Sequence, residues 1–274
     1  MRIDNVSASN WPQRIGLFLL FLVFGLLIFV VFNHIQLRLP SSIDPVGRTA
    51  MIAGFLAVAL LARKSHRFEK YWPVLFACFI ASLATAVDYY LPSRDWLLKF
   101  LDIPIRTPAG IALDKLDSSI MIIVSVLLFT GISGNNLASI CLRKGNLRKG
   151  IIIGSITFVV AAAGAIPVSN LFFGARDLTL EKVSSWTPWI LIFIAGNAFN
   201  EELLFRGLFL KKFDPFVGEL GSNLAIAIPF ALHHSGVSYT SDTLMFLAIL
   251  LPLALAWGYI TQKTDSLWCS FKYP

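Results

Sequence analysis

The feature that most constrains this chain is a succession of long apolar runs separated by short polar connections. A helix needs roughly 20 mainly apolar residues to cross the hydrocarbon core of a bilayer, and the runs approach that length. Hydrophobic residues make up 56% of the 274 residues and charged residues only 14%, whereas a soluble domain carries roughly 25% charged residues. The composition therefore predicts an all-α, polytopic membrane protein.

The runs predict about eight transmembrane helices in a single transmembrane domain over residues 1–274. The second run is short unless Arg48 snorkels to the interface. Charged and bulky apolar residues alternate at helical spacing over Ser93–Ile103, which predicts an amphipathic helix on the membrane surface. The expected spans are Ile15–Phe32, Arg48–Ala62, Tyr71–Val87, Ser118–Ile140, Gly150–Val168, Trp189–Leu210, Gly221–Gly236 and Leu244–Ile260.

The basic residues predict the orientation, because loops rich in Lys and Arg stay in the cytoplasm. The short loops 63–70 and 141–149 are the most basic, so we expect them and both termini on the cytoplasmic side of a bacterial-type plasma membrane. The net charge is +7, but no basic tract is longer than a loop. The expected environment is the lipid bilayer, and nucleic acid is excluded as a partner.

The sixth expected span carries two adjacent carboxylates and an arginine, Glu201, Glu202 and Arg206. Ionisable side chains inside a spanning helix are costly and mark functional sites. Glu202 and Arg206 are four residues apart and share a helix face, so the arginine is expected to neutralise Glu202. Glu201 points about 100° away around the axis. Its carboxylate is therefore expected to face a cavity, with Asn197 as a hydrogen-bond partner, and to serve in proton transfer.

The seventh expected span adds two histidines, His233 and His234, at a depth similar to that of Glu201. A short connection joins the two spans, so we expect them to be neighbours. A carboxylate and an imidazole at the same depth can bind and deprotonate a water molecule. His234 is preferred because it lies one helical turn after Phe230, but the sequence leaves open which of the two histidines faces the site.

The motif Glu201-Glu202-x-x-x-Arg206, followed by Phe230-x-x-x-His234, resembles the CAAX protease and bacteriocin-processing family, also called Abi. These proteins are intramembrane glutamic endopeptidases. The resemblance covers about residues 187–268 and implies eight helices around a conical cavity open to the cytoplasm. It implies hydrolysis of membrane-anchored protein or peptide substrates by water that Glu201 activates with the help of His234. Glu202 and Arg206 would shape the site.

One motif of that family is missing from this sequence. Family members usually continue beyond a Ser-Leu-Trp like Ser266-Leu267-Trp268 with His-x-x-x-Asn or His-x-x-x-Asp, whereas no histidine follows His234 here. The missing residues would help to bind the developing oxyanion, and loss of one oxyanion donor costs roughly 10²–10³ in rate. We therefore expect either a protease impaired by truncation at Pro274 or a non-proteolytic membrane binding or immunity protein of the same family.

Metal and transport chemistry are weaker interpretations. A zinc site usually has three protein ligands, and one Glu and one His are too few. Cys78, Cys141 and Cys269 form no CxxC pair. We therefore expect no cofactor, and the ligand count does not support a divalent metal. A transporter with a proton relay through Glu201, Glu202 and His234 is a third interpretation, which the lack of repeat symmetry disfavours.

Overall fold

The computed structural model describes residues 11–32, 42–143, 179–237 and 242–267, together with positions 40, 145, 148, 152, 156, 159, 163 and 164. Within these residues it contains helices and no β-strand, which confirms the prediction of an all-α protein. The α-helices are α1 (Trp11–Leu26), α2 (Asp44–Lys64), α3 (Trp72–Tyr90), α4 (Ser93–Phe100), α5 (Pro108–Ile132), α6 (Leu180–Glu201), α7 (Lys211–His233) and α8 (Thr243–Thr264).

Several described segments are long and apolar enough to cross a membrane, which confirms the polytopic architecture. The expected count of eight spans is not confirmed, and the expected span Gly150–Val168 lies outside the described residues except for single positions. The candidate spans within the described residues number five: Trp11–Val31, Asp44–Lys64, Glu69–Tyr90, Leu180–His233 and Thr243–Thr264.

The longest of these segments has 54 residues and would measure about 80 Å as one straight helix. It is broken at Gly218, whose φ of 78° is readily adopted only by glycine. Beyond that break α7 packs back against the preceding helix, so that the rings of Phe205 and Phe230 lie 5.1 Å apart. The segment therefore forms two antiparallel arms, and residues far apart in sequence meet at the same depth.

Two helices begin earlier than the apolar runs predict, because polar side chains cap them. Thr107 accepts a hydrogen bond from the backbone N–H of Gly110 at 3.1 Å, and α5 begins at Pro108 instead of Ser118. Thr179 accepts one from the N–H of Lys182 at 3.3 Å, and α6 begins at Leu180 instead of Trp189. An N-cap hydroxyl satisfies a backbone donor that the helix itself cannot. Both helices therefore extend past their apolar runs.

The helix expected on the membrane surface is present as α4. Its Trp96 and Phe100 are exposed, whereas Leu98 is buried against the bundle. Bulky aromatic side chains beside Arg94 and Lys99 suit a helix that lies in the lipid headgroup region. The helix itself is confirmed, and its position on the membrane remains a prediction.

α1 and α8 both pack closely against α7. A Cβ atom at Gly25 would lie 2.7 Å from Cγ of Pro229, so only glycine allows α1 to approach at this point. On the other side of α7, the buried Asn223 donates a hydrogen bond to the carbonyl of Leu255 at 2.8 Å. Its side chain occupies the space that a Cβ atom at Gly258 would need. These contacts hold α7, which ends at His233 immediately before His234, between two neighbouring helices.

Candidate active site

Glu201 is the last residue of α6 before the helix widens into a π-helix over Glu202–Leu210. All nine residues of this π-helix are buried. π-Helical turns are rare and frequently lie at functional sites. A second π-helix, Leu27–Val31, continues α1, and the ring of its Phe29 packs 4.2 Å from that of Phe205. Both irregular segments therefore meet beside Glu201.

The carboxylate of Glu201 has two polar neighbours. Asn197, one turn earlier, donates a hydrogen bond from Nδ2 to Oε1 of Glu201 at 2.9 Å. Nε2 of His234 lies 3.5 Å from the same oxygen, and both side chains are largely buried. The 3.5 Å separation is longer than an ordinary N–H···O hydrogen bond of 2.7–3.2 Å. The structure therefore brings the predicted carboxylate and imidazole together across two helices.

The hydrogen bond on the other side of the His234 ring fixes its tautomer. Nδ1 of His234 lies 2.9 Å from the carbonyl oxygen of Phe230. Because a carbonyl oxygen can only accept, Nδ1 carries a proton. In the neutral ring, Nε2 is then an acceptor, and it faces an oxygen of Glu201 that is also an acceptor when ionised. One further proton or one donor molecule must lie between them, so the pair is arranged to share a proton.

His233 takes a separate place beside the same site. Its Nδ1 lies 3.0 Å from the carbonyl oxygen of Phe29, near the end of the first helix, where carbonyl groups lack helical partners. Its side chain lines the cavity that contains Glu201. The sequence left open which of the two histidines faces the site. In the structure, His234 lies beside the Glu201 carboxylate, and His233 lies in the cavity wall.

Glu202 and Arg206 form the ion pair that their spacing predicts. Nη1 of Arg206 lies 3.1 Å from Oε1 of Glu202, and the two residues are 1% and 5% exposed, respectively. A buried charge is tolerated only when it is paired and hydrogen-bonded. The glutamates are therefore in different environments: Glu202 belongs to a buried ion pair, whereas Glu201 lines a cavity.

Arg206 also connects three helices. Its Nη2 donates a hydrogen bond to the carbonyl of Ala254 in α8 at 3.2 Å. Its guanidinium lies 4.3 Å from the ring centroid of Phe230 in α7 and 5.8 Å from that of Trp257 in α8. Such cation–π contacts are attractive and stronger when desolvated. Because Phe230 in turn accepts the hydrogen bond from His234, Arg206 supports the position of the imidazole.

Glu201 lines a cavity with about 640 Å³ of space, part of which is open to the surroundings. The wall is partly apolar, from residues such as Leu204 and Phe205, and partly polar. Several polar side chains of this wall were not predicted as site residues from the sequence, and of these only Asn200 stands next to a motif residue. These side chains are Arg48, Thr85, Asp88, Lys115, Ser118 and Asn200.

Arg48 has a role in the site that the sequence did not predict. It is only 3% exposed and lines the cavity. The reason is its neighbour Asp44, which forms an ion pair with it at 3.0 Å and keeps the guanidinium inside the bundle.

The cavity reaches the end of the bundle at which α2 and α5 begin and α3 ends, since Arg48, Lys115 and Asp88 line it. The basic loop 63–70 joins the opposite ends of α2 and α3. The polar wall of the cavity therefore lies toward the end of the bundle opposite to that loop.

Cysteine reporters test the predicted orientation in the membrane. His66→Cys, in the basic loop, and Leu180→Cys, at the start of α6, are expected to react with a membrane-impermeant maleimide from opposite sides of sealed vesicles. The reporters are introduced into a Cys269→Ser background. The other native cysteines, Cys78 and Cys141, are buried, and burial raises the pKa of the Cys141 thiol to about 11, so their reaction should be slow. Labelling of positions 66 and 180 from the same side would contradict the predicted topology.

No group of three or more His, Cys, Asp or Glu side chains among the described residues is placed to hold a metal ion. Glu201 and His234 together offer two ligands, fewer than the three protein ligands of a typical catalytic zinc site. The arrangement is better suited to moving a proton than to holding a cation.

Comparison with known proteins identifies a family for the last third of the chain. Residues 183–271 match the family model described as Type II CAAX prenyl endopeptidase Rce1-like. The recognition of the CAAX protease and bacteriocin-processing family is confirmed over this segment, which contains Glu201, Glu202, Arg206 and His234. No curated protein and no solved structure matches the chain.

Proposed function

We propose that this protein is an intramembrane endopeptidase that hydrolyses peptide bonds of membrane-associated protein or peptide substrates. The observation that carries the proposal is the Glu201–His234 pair, with 3.5 Å between Oε1 and Nε2, at a cavity inside a bundle of apolar helices. The match to a protease family over residues 183–271 supports the same reaction class. The activity is a hydrolase activity within an integral membrane protein.

In the proposed reaction, a water molecule occupies the gap between Glu201 and His234. Glu201 accepts one proton as the hydroxide adds to the scissile carbonyl carbon, and His234 orients the water through Nε2. When the tetrahedral intermediate collapses, the C–N bond breaks and Glu201 returns the proton to the leaving nitrogen. Positioned general bases contribute about 10²–10⁴-fold to rates. No step requires a metal ion or another cofactor.

The developing oxyanion also needs a hydrogen-bond donor. We assign this role to the amide of Asn200, which is buried in the cavity wall next to Glu201. An amide side chain can serve as an oxyanion donor, and removal of one such donor costs roughly 10²–10³ in rate.

A non-proteolytic membrane binding or immunity protein of the same family is the second candidate. The observation that favours it is the 3.5 Å between Nε2 of His234 and Oε1 of Glu201, which is longer than an ordinary hydrogen bond. A cavity that binds a peptide without cleaving it could still use every contact described for Glu202 and Arg206, which are structural.

Cleavage in lipid vesicles tests the proposal. The purified protein would be incubated with a library of lipid-anchored peptides, and the products identified by mass spectrometry, with and without EDTA. We expect two product fragments per cleaved peptide at a rate that EDTA leaves unchanged, because the Glu201–His234 pair alone activates the water. Saturable peptide binding without any cleavage would support the binding protein instead, and abolition by EDTA would refute the metal-free mechanism.

A further inference from the structure

Three basic side chains gather at the end of the bundle where α5 ends. Arg143 comes from the connection that follows α5, whereas Lys211 and Lys212 begin α7 directly after the π-helix. Arg143 and Lys211 both contact the carboxylate of Asp265. Lys212 takes part in no ion pair within the described part of the chain. Three cations therefore gather around one carboxylate.

Lys212 has hydrogen-bonding capacity that the described residues do not use. Its ammonium carries three donors, and the one hydrogen bond that it makes to a described residue goes to the carbonyl of Ser139 at 3.1 Å. The side chain is half-buried, and burying a charge without an opposite charge beside it is costly. An anion next to Lys212 would supply both the missing charge and the missing acceptors.

The carboxylates nearest to Lys212 in sequence have other partners. Asp214 accepts a hydrogen bond from Nε2 of Gln262 at 3.0 Å. Glu219 forms an ion pair with Lys263 at 2.7 Å. Neither carboxylate therefore neutralises Lys212.

Arg143 and Lys212 lie on the same small region of the protein. Both charges act on the thiol of the buried Cys141, which follows the short 3₁₀-helix Leu137–Ile140. Arg143 contacts Asp265 through Nε and Nη2, whereas its Nη1 makes no hydrogen bond to a described residue. The guanidinium is 46% exposed. The two cations can therefore bind one anion together.

An exposed apolar stripe on α5 leads to this end of the bundle. Its four side chains follow one another at intervals of one helical turn and are 47% to 66% exposed. Leu137, which is 50% exposed, extends the stripe to within two residues of Ser139, the acceptor of Lys212. Contiguous exposed apolar side chains beside polar ones are typical of membrane contact sites. The residues of the α5 stripe are Ile120, Val124, Leu128 and Ile132.

We propose that Arg143 and Lys212 bind the phosphate of an anionic phospholipid whose acyl chains lie along the α5 stripe. Phosphate oxygens accept charge-assisted hydrogen bonds from both types of side chain, and basic pockets between membrane helices bind anionic headgroups. A soluble phosphate compound offers the same anion, but the stripe favours the lipid. The site is at the far end of α5 from the Glu201 cavity, and the proposal does not depend on the peptidase function.

Native mass spectrometry of the detergent-solubilised protein tests the site with three probes. Dioleoyl phosphatidylglycerol carries both the phosphate and the acyl chains, dioleoylglycerol only the chains, and glycerol 3-phosphate only the phosphate. We expect phosphatidylglycerol to bind roughly 10-fold more tightly than either, the size of a charge-assisted hydrogen bond. This comparison uses the unmodified protein.

Two variants locate the bound lipid. Lys212→Gln and Arg143→Gln should each weaken the binding of phosphatidylglycerol by roughly 5- to 10-fold, because each removes one cation from the headgroup. The glutamine at position 212 can still donate to the Ser139 carbonyl. The matched control is Lys99→Gln, which removes an exposed lysine from α4 at the other end of α5 and should leave this affinity unchanged.

Thermal unfolding gives a second readout, because a ligand of the folded state raises the Tm. Phosphatidylglycerol should raise the Tm of the unmodified protein more than that of Lys212→Gln. Equal affinity for phosphatidylglycerol and dioleoylglycerol would overturn the phosphate site and leave the peptidase function intact. Unchanged lipid affinity in either variant that folds would overturn it as well. Binding of glycerol 3-phosphate as tight as that of the lipid would assign the site to a soluble phosphate compound and overturn the lipid proposal.

Discussion

Glu201→Gln is expected to lower kcat/KM for peptide cleavage by about 10²–10⁴-fold, the contribution of a positioned general base. Glutamine keeps the shape of the side chain but cannot accept a proton from water at neutral pH. Its amide can still form hydrogen bonds with Asn197 and His234, so the folded yield should match that of the unmodified protein. The measurement is cleavage of the lipid-anchored peptide in vesicles, with yield followed by size-exclusion chromatography.

The matched control for this variant is Glu181→Gln, which removes an exposed carboxylate in the first turn of the same helix. We expect cleavage by this control to stay within a factor of two of the unmodified rate, because surface substitutions away from a site have small effects. Cleavage by Glu201→Gln at the unmodified rate would refute the role of Glu201 as the base.

Arg206→Ala is expected to reduce the folded yield sharply as well as the activity. Arg206 is 1% exposed and neutralises the buried Glu202. Removing one partner of a buried ion pair costs about 3–5 kcal/mol, because the remaining charge is left without compensation. The hydrogen bond to Ala254 and the contact with Phe230 are lost with it. Yield and thermal stability in detergent are the measurements.

Two further variants identify the cause of the expected loss. Arg106→Ala removes an exposed arginine from the connection before α5 and should leave yield and activity unchanged. The double variant Glu202→Gln/Arg206→Gln removes both charges and should recover much of the yield lost in Arg206→Ala, because no uncompensated charge remains. A double variant as unstable as the single one would show that the packing of Arg206, and not its charge, is what matters.

Local spacing was sufficient to predict the ion pair of the candidate site. Glu202 and Arg206 are four residues apart on one helix, and that geometry holds even though the helix has widened to a π-helix. The neighbourhood of Glu201 and His234 also followed from the sequence, since two adjacent spans joined by a short connection run antiparallel. Both predictions follow from the helical repeat and from the order of the spans along the chain, and the sequence provides both.

The opposite wall of the cavity could not be predicted in this way. Arg48 and Lys115 lie on α2 and α5, which are far from α6 in sequence, and neither belongs to a motif. Arg48 is buried through its ion pair with Asp44, and the hydrogen bond that Asp44 accepts from Tyr90 depends on the packing of α2 against α3. The π-helix over Glu202–Leu210 gives no hydrophobic periodicity of its own. The sequence contains 18 glycines, and nothing in it marks Gly218 as the one at which the helix breaks.

The composition of the cavity wall divides the candidate site between two parts of the chain. Glu201 and His234 come from the last third, whereas Arg48, Asp88 and Lys115 come from helices of the first half. Substitutions in that first half can therefore reshape the cavity while the Glu201–His234 pair stays unchanged. A chimera that joins residues 183–271 to the amino-terminal half of another protein would keep this pair and exchange the wall that faces it.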